Sequence, residues 1–197
     1  MPPQFAVIAL ALLTFMGCTC GRHVRDGKIE ASMTEDGFWN LIETARSRGG
    51  EPDEIAEQVS QELAKRSADD IRAFDAHRVR LMESSYSWNL WGAAYLINGG
   101  CSDDGFEYFR SWLFTQGRQV FDGAVANPDS LAAHVSQGEE PECEDFMYAA
   151  DKAHEAVAGN PLEGIPFRYP ELGQGWDFDD SSEMSRRYPE LWRKFGG

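Results

Sequence analysis

Residues 88–118, WNLWGAAYLINGGCSDDGFEYFRSWLFTQGR, set two strongly apolar segments on either side of a polar, glycine-rich turn. From Leu90 to Ile97 nearly every side chain is apolar: Trp91, Ala94 and Tyr95 recur at helical spacing, and Ala93, Leu96 and Ile97 fill the other side. A helix apolar on almost all sides must be covered on almost all sides, which makes it central. Asn98, Gly99 and Gly100 tolerate the positive φ that many helices use just past their C-terminus, so this helix stops near Asn98. Ser102 can accept a hydrogen bond from a free backbone N–H, and Asp103 and Asp104 suit the positive end of a helix macrodipole. A second helix therefore starts there, with Phe106, Phe109, Trp112 and Leu113 as its apolar stripe and Gly117 as its expected end. Trp91, Tyr95, Phe109 and Trp112 are expected to be largely buried.

Working outward, the helical period persists. Thr34 can cap a helix carrying Phe38, Leu41, Ile42 and Ala45 on one face, which Gly49 and Gly50 end. Pro52 suits the first turn of a second helix with Ile55, Val59 and Leu63 in register. Ser67 and Asp70 form a capping pair ahead of a third, through Ile71, Phe74, Leu81 and Met82. Downstream, Val120, Phe121, Ala124 and Val125 continue in helical register until Asn127-Pro128, and Phe146, Met147, Ala150, His154 and Val157 form the stripe of a later helix stopped by Gly159-Asn160-Pro161. The Pro- and Gly-rich remainder suggests an irregular segment lying over the domain, with a short last helix docking through Leu191, Trp192 and Phe195. No sustained β-alternation and no internal repeat occurs. The expected fold is all-α, a compact multi-helix single domain with an irregular C-terminal extension.

The run Trp88, Leu90, Trp91, Ala93, Ala94, Tyr95, Ile97 to Phe106, Phe109, Arg110, Trp112, Leu113 closely resembles the DUF4240 family, a bacterial domain of unknown function. The resemblance extends upstream to residues 33–39, MTEDGFW, and downstream through residues 128–131, PDSL, to residues 142–144, ECE. It implies a mostly helical domain over residues 33–158 and brings no activity and no catalytic residues. Residues 1–32 and 159–197 lie outside it.

The leader does not read like the rest. Phe5 to Gly17 is one mostly apolar run, short for a membrane span but suited to the hydrophobic region of a secretory signal, with Gly17-Cys18 as a lipoprotein-type cleavage site. Against this, residues 1–4 carry no Lys or Arg, and the resemblance begins at Met33. The expectation is a cytoplasmic protein if translation starts at Met33, and an envelope lipoprotein or secreted protein, with membrane contact, if residues 1–32 are a real signal. Beyond the leader only Cys101 and Cys143 remain, which is no disulfide framework and no zinc spacing, so neither a metal nor any other cofactor is expected. A net charge of −15 argues against a nucleic-acid partner, because that affinity comes largely from Lys and Arg neutralising phosphates.

Three groups could carry chemistry. Cys101 sits beside a helix N-terminus, which lowers a thiol's pKa, while Asp103 and Asp104 oppose the thiolate; a structural cysteine is the simpler reading. His77 falls on the apolar face with Phe74 and Leu81, as a core histidine or a buried general base. Asp103, Asp104 and Glu107 supply oxygen ligands without the alternating spacing of an EF-hand loop, and capping accounts for the first two. The expected function is a protein-interaction or regulatory module, with Asn98, Gly99, Gly100, Cys101, Ser102, Asp103 and Asp104, together with His77, as candidate binding residues and an unidentified protein as partner. The alternative is a small enzyme using Cys101, His77 or the Asp103/Asp104 cluster in a pocket.

Overall fold

Side-chain caps start the helices where the hydroxyls fall in the sequence. The structure, a computed structural model, describes residues 33–196; residues 1–32, and with them the proposed signal, Cys18 and Cys20, lie outside the described residues. Thr34 accepts from the N–H of Gly37 (3.1 Å) to open α1, Glu35–Arg46, and Pro52 opens α2, Pro52–Leu63. Ser67 accepts from Asp70 N–H (3.1 Å) and returns a bond to its carboxylate (2.8 Å) at the start of α3, Ala68–Ser84. Ser87 accepts from Leu90 N–H (3.2 Å) to open α4, Trp88–Asn98, and Ser102 from Gly105 N–H (3.1 Å) to open α5, Asp103–Thr115. After α6, Arg118–Ala126, two 3-10 segments (Pro128–Ala133 and Glu144–Tyr148) lead into α7, Ala149–Ala158. No strand occurs among the described residues, and the fold is all-α.

The centre of the molecule is α5. Every residue from Phe109 to Thr115 is buried, Arg110 and Ser111 among them, so the helix is enclosed on all sides over its second half. Phe114 joins four elements: its ring stacks on Phe121 of α6 (centroids 5.1 Å) and on Phe146 of the second 3-10 segment (5.0 Å), and it meets Phe38 and Trp39 of α1 at 5.7 and 5.9 Å. Gly117 does not close α5 but opens α6, with φ 84°; α5 ends at Thr115, whose carbonyl accepts from Arg46 Nε (2.8 Å).

Three of the four aromatic residues expected in the core are there: Trp91, Phe109 and Trp112 are buried. Tyr95 is only half-buried, because its hydroxyl reaches outward to the Asp179 carboxylate (2.7 Å). In α7 the buried face is Ala149, Ala150, Ala153 and His154, while Val157, one position from the helix end, is exposed.

The outer side of α4 is covered by the chain beyond residue 159. That segment is irregular to residue 180 and then forms two short helices rather than one, α8, Ser181–Arg187, and α9, Pro189–Phe195, divided at the proline. The Tyr188 hydroxyl donates to the Asn89 carbonyl (2.7 Å), and Gly92 leaves room for it: a Cβ there would lie 2.5 Å from that oxygen and 3.2 Å from the Trp176 ring. The Asp129 carboxylate accepts from the N–H groups of Glu190 (3.0 Å) and Leu191 (2.8 Å), capping α9 from the first 3-10 segment.

Candidate functional site

The turn between α4 and α5 is built as its residues dictate. Gly99 (φ 66°) and Gly100 (φ 139°) turn the chain out of α4 through conformations that cost any other residue strain, and the Gly100 N–H closes on the Tyr95 carbonyl (2.9 Å). Ser102, Asp103 and Asp104 are exposed on the first turn of α5. The Asn98 amide lies 3.5 Å from a Glu142 oxygen, and its own Oδ1 is buried without a hydrogen-bond partner. Cys101 turns inward, its carbonyl accepting from the Trp91 indole N–H (3.1 Å).

Burial, with Glu142 adding to it against the opposing pull of Arg110, pushes the Cys101 thiol up to about 12; burial does the same to Cys143. At pH 8 the thiolate is then about one part in ten thousand at either site. Cys101 and Cys143 should consequently react with a disulfide reagent such as DTNB far more slowly at pH 8 in native buffer than in denaturant, and fast native labelling of Cys101 would show an activated thiol instead.

His77 is not part of this turn. Its Nε2–H donates to the Met33 carbonyl (2.8 Å) and its Nδ1 accepts from Arg80 (3.0 Å), so both nitrogens are engaged near the start of α1 and neither bonds to Cys101 or Asp104. Glu107 accepts from the Tyr169 hydroxyl (3.1 Å). Among the described residues no three His, Cys, Asp or Glu side chains gather where a metal ion would sit.

What the turn does adjoin is Arg110. This side chain is wholly buried; its Nε donates to the Phe106 carbonyl (3.2 Å), its Nη1 to the Met82 carbonyl (2.6 Å), and its Nη2 has no partner. The guanidinium lies 4.6 Å from the ring centre of Phe106, 5.1 Å from Tyr86 and 5.7 Å from Phe167, and it makes no ion pair among the described residues. Burial brings its pKa down to about 10, against the pull of Glu107, which leaves it charged at neutral pH. Cation–π contacts return roughly 0.5–2 kcal/mol, against several kcal/mol for taking an ion out of water. The imbalance is what an anion would relieve.

Phe167 and Tyr169 belong to residues 165–170, an extended strap with no helix of its own. Tyr169 packs edge-on against Tyr86 (5.3 Å) and Phe167 (4.6 Å), and the Arg168 N–H donates to the Glu83 carboxylate (2.7 Å). A second buried polar group is His154, whose Nδ1–H donates to the Asn160 carbonyl (2.9 Å) while Nε2 has no partner; burial and Asp75 push the carboxyl of nearby Asp151 upward. The open cleft of about 480 Å³ between the ends of α1, α2 and α5 contains none of the candidate residues.

Arg110 stands within the motif of residues 88–118, and little in that motif sets it apart. The available signal was a charge at i+4 from Phe106, between Phe109 and Trp112, inside an apolar helix. Nothing in the sequence tied it to Tyr86 or to Phe167, which is 57 residues away by number.

A family model described as "Protein of unknown function (DUF4240)" matches residues 33–156, from the residue before the α1 cap to within α7. No curated protein and no solved structure matches the chain.

Proposed function

The chain belongs to the DUF4240 family, a membership that names no activity, and from that premise we propose that it is a protein-interaction or regulatory module whose binding face is the α4–α5 turn with the adjoining surface of α3 and α5. One observation carries this reading: that surface already holds an extended piece of polypeptide, the strap, through a main-chain N–H to Glu83, a tyrosine hydroxyl to Glu107 and ring contacts with Tyr86. A partner segment can use the same groups, and beside them Ser102, Asp103 and Asp104 stand exposed. The enzyme alternative requires a nucleophile within reach of a base, and the His77 nitrogens bond elsewhere than to Cys101.

The double substitution Asp103→Asn, Asp104→Asn keeps acceptor oxygens and removes the charges. It is expected to cost only the helix-dipole contribution, about 0.3–1 kcal/mol at each position, and to lose the partner that the wild-type chain retains from a host lysate. An equally stable double variant that retains the same partner at the same yield would sink the reading.

A further inference from the structure

We propose that Arg110 and the rings of Tyr86 and Phe106 form a binding site for a small aromatic monocarboxylate, closed in this structure by the strap, with Phe167 in the place of the ligand's ring. The site has one buried donor to spare. Nε and Nη1 of Arg110 are held by the Phe106 and Met82 carbonyls, and Nη2, equally buried, is bonded to nothing. A guanidinium whose other two nitrogens are fixed is preorganised: an oxyanion arriving at Nη2 meets a donor that needs no reorientation.

The surroundings choose among anions. Glu107 and Glu83 stand at the edge of the site, where they hold the strap through Tyr169 and Arg168. A phosphate dianion would face their repulsion, whereas a single carboxylate meets one guanidinium with one charge. The walls are aromatic, with Phe106 and Tyr86 over the guanidinium and Trp91 stacked 4.7 Å from Phe106, so the body that the carboxylate brings must be apolar and flat.

The strap is the element that can move. Two hydrogen bonds tie residues 165–170 to the helices, both to carboxylates; Tyr169 is 63% exposed and Ile165 39%. Few contacts and an exposed backbone are the marks of a segment that opens without unfolding the rest. The strap lies beyond the residues matched by the family model, while Tyr86, Phe106 and Arg110 lie within them.

Calorimetric titration of the full-length chain tests the assignment with three probes: 3-phenylpropionate, its neutral amide and inorganic phosphate. The acid should bind saturably to wild type and about tenfold more tightly to Phe167→Ala, the gain being set by the fraction of time the strap is closed. The amide and phosphate should show no saturable binding, and Arg110→Met should lose the acid. Binding of amide or phosphate as strong as that of the acid, retention of the acid by folded Arg110→Met, or no acid binding to Phe167→Ala each overturns the proposal. Should Arg110→Met fail to fold, the ¹⁵N resonance of the Arg110 Nε–H in Phe167→Ala decides: a shift that saturates with the acid sustains the site, and an unmoved resonance removes it.

Discussion

Phe114→Ala is expected to lower the stability of the fold by about 3–5 kcal/mol, the range for removing a large aromatic ring from a packed core. The upper half of that range applies because the cavity cannot close: the ring is wholly buried and touches Phe38, Trp39, Phe121 and Phe146, which come from three separate elements and are themselves fixed by other neighbours. For α1 to move into the space it would have to drag Phe38 off Phe74, 4.5 Å away on α3. A loss of this size is a large part of the 5–15 kcal/mol typical of a whole domain. Urea denaturation followed by far-ultraviolet circular dichroism measures it. A midpoint unchanged from wild type would mean that α5 is not the central helix.

That Phe114 is the hub could not be read from the α5 sequence, although the helix could. Phe106, Phe109, Trp112 and Leu113 lie along one stripe, and a stripe predicts one buried side. Phe114, Ser111 and Thr115 lie off it, and whether they are buried depends on α6 and the 3-10 segment at Glu144–Tyr148 folding back over them. By contrast, the helix starts at Thr34, Pro52, Ser67 and Ser102 were all readable, because a cap is settled within three or four residues of chain.

The candidate site divides in the same way. The turn from Asn98 to Gly105 was visible because positive φ and capping are local demands, and the structure forms it as such. Arg110 stood in the quoted motif, yet its meaning needs Tyr86 from the end of α3 and Phe167 from the strap, and no periodicity links those three. His77 is half-buried, in keeping with its place beside the apolar face of α3, but its partner is the Met33 carbonyl, a long-range backbone contact that spacing does not reveal.

Tyr188→Ala should cost about 3–5 kcal/mol as well, a loss that would show residues beyond 159 to be part of the folded unit rather than an appendage. Tyr188 is 2% exposed although it lies in the short link between α8 and α9, and burial pushes its phenol pKa upward. Its ring fills the space that Gly92 leaves on α4, and its hydroxyl is bonded to the Asn89 carbonyl on the same helix. Removing the ring uncovers the α4 backbone at Gly92, where no side chain can fill the gap. It also frees α9, which is otherwise held at its start by Asp129. The apolar excess of α4, too great for one buried face, is thereby explained: Leu90 and Ala93 serve the core, while Trp88, Gly92 and Tyr95 receive Trp176, Phe178 and Tyr188. Tyr188→Phe keeps the ring and drops one hydrogen bond, so it should lose only about 0.5–1.5 kcal/mol. Denaturation midpoints of the two variants separate the contributions. If Tyr188→Ala melts with the wild-type chain, the extension is dispensable to the fold and α4 does not depend on it for cover.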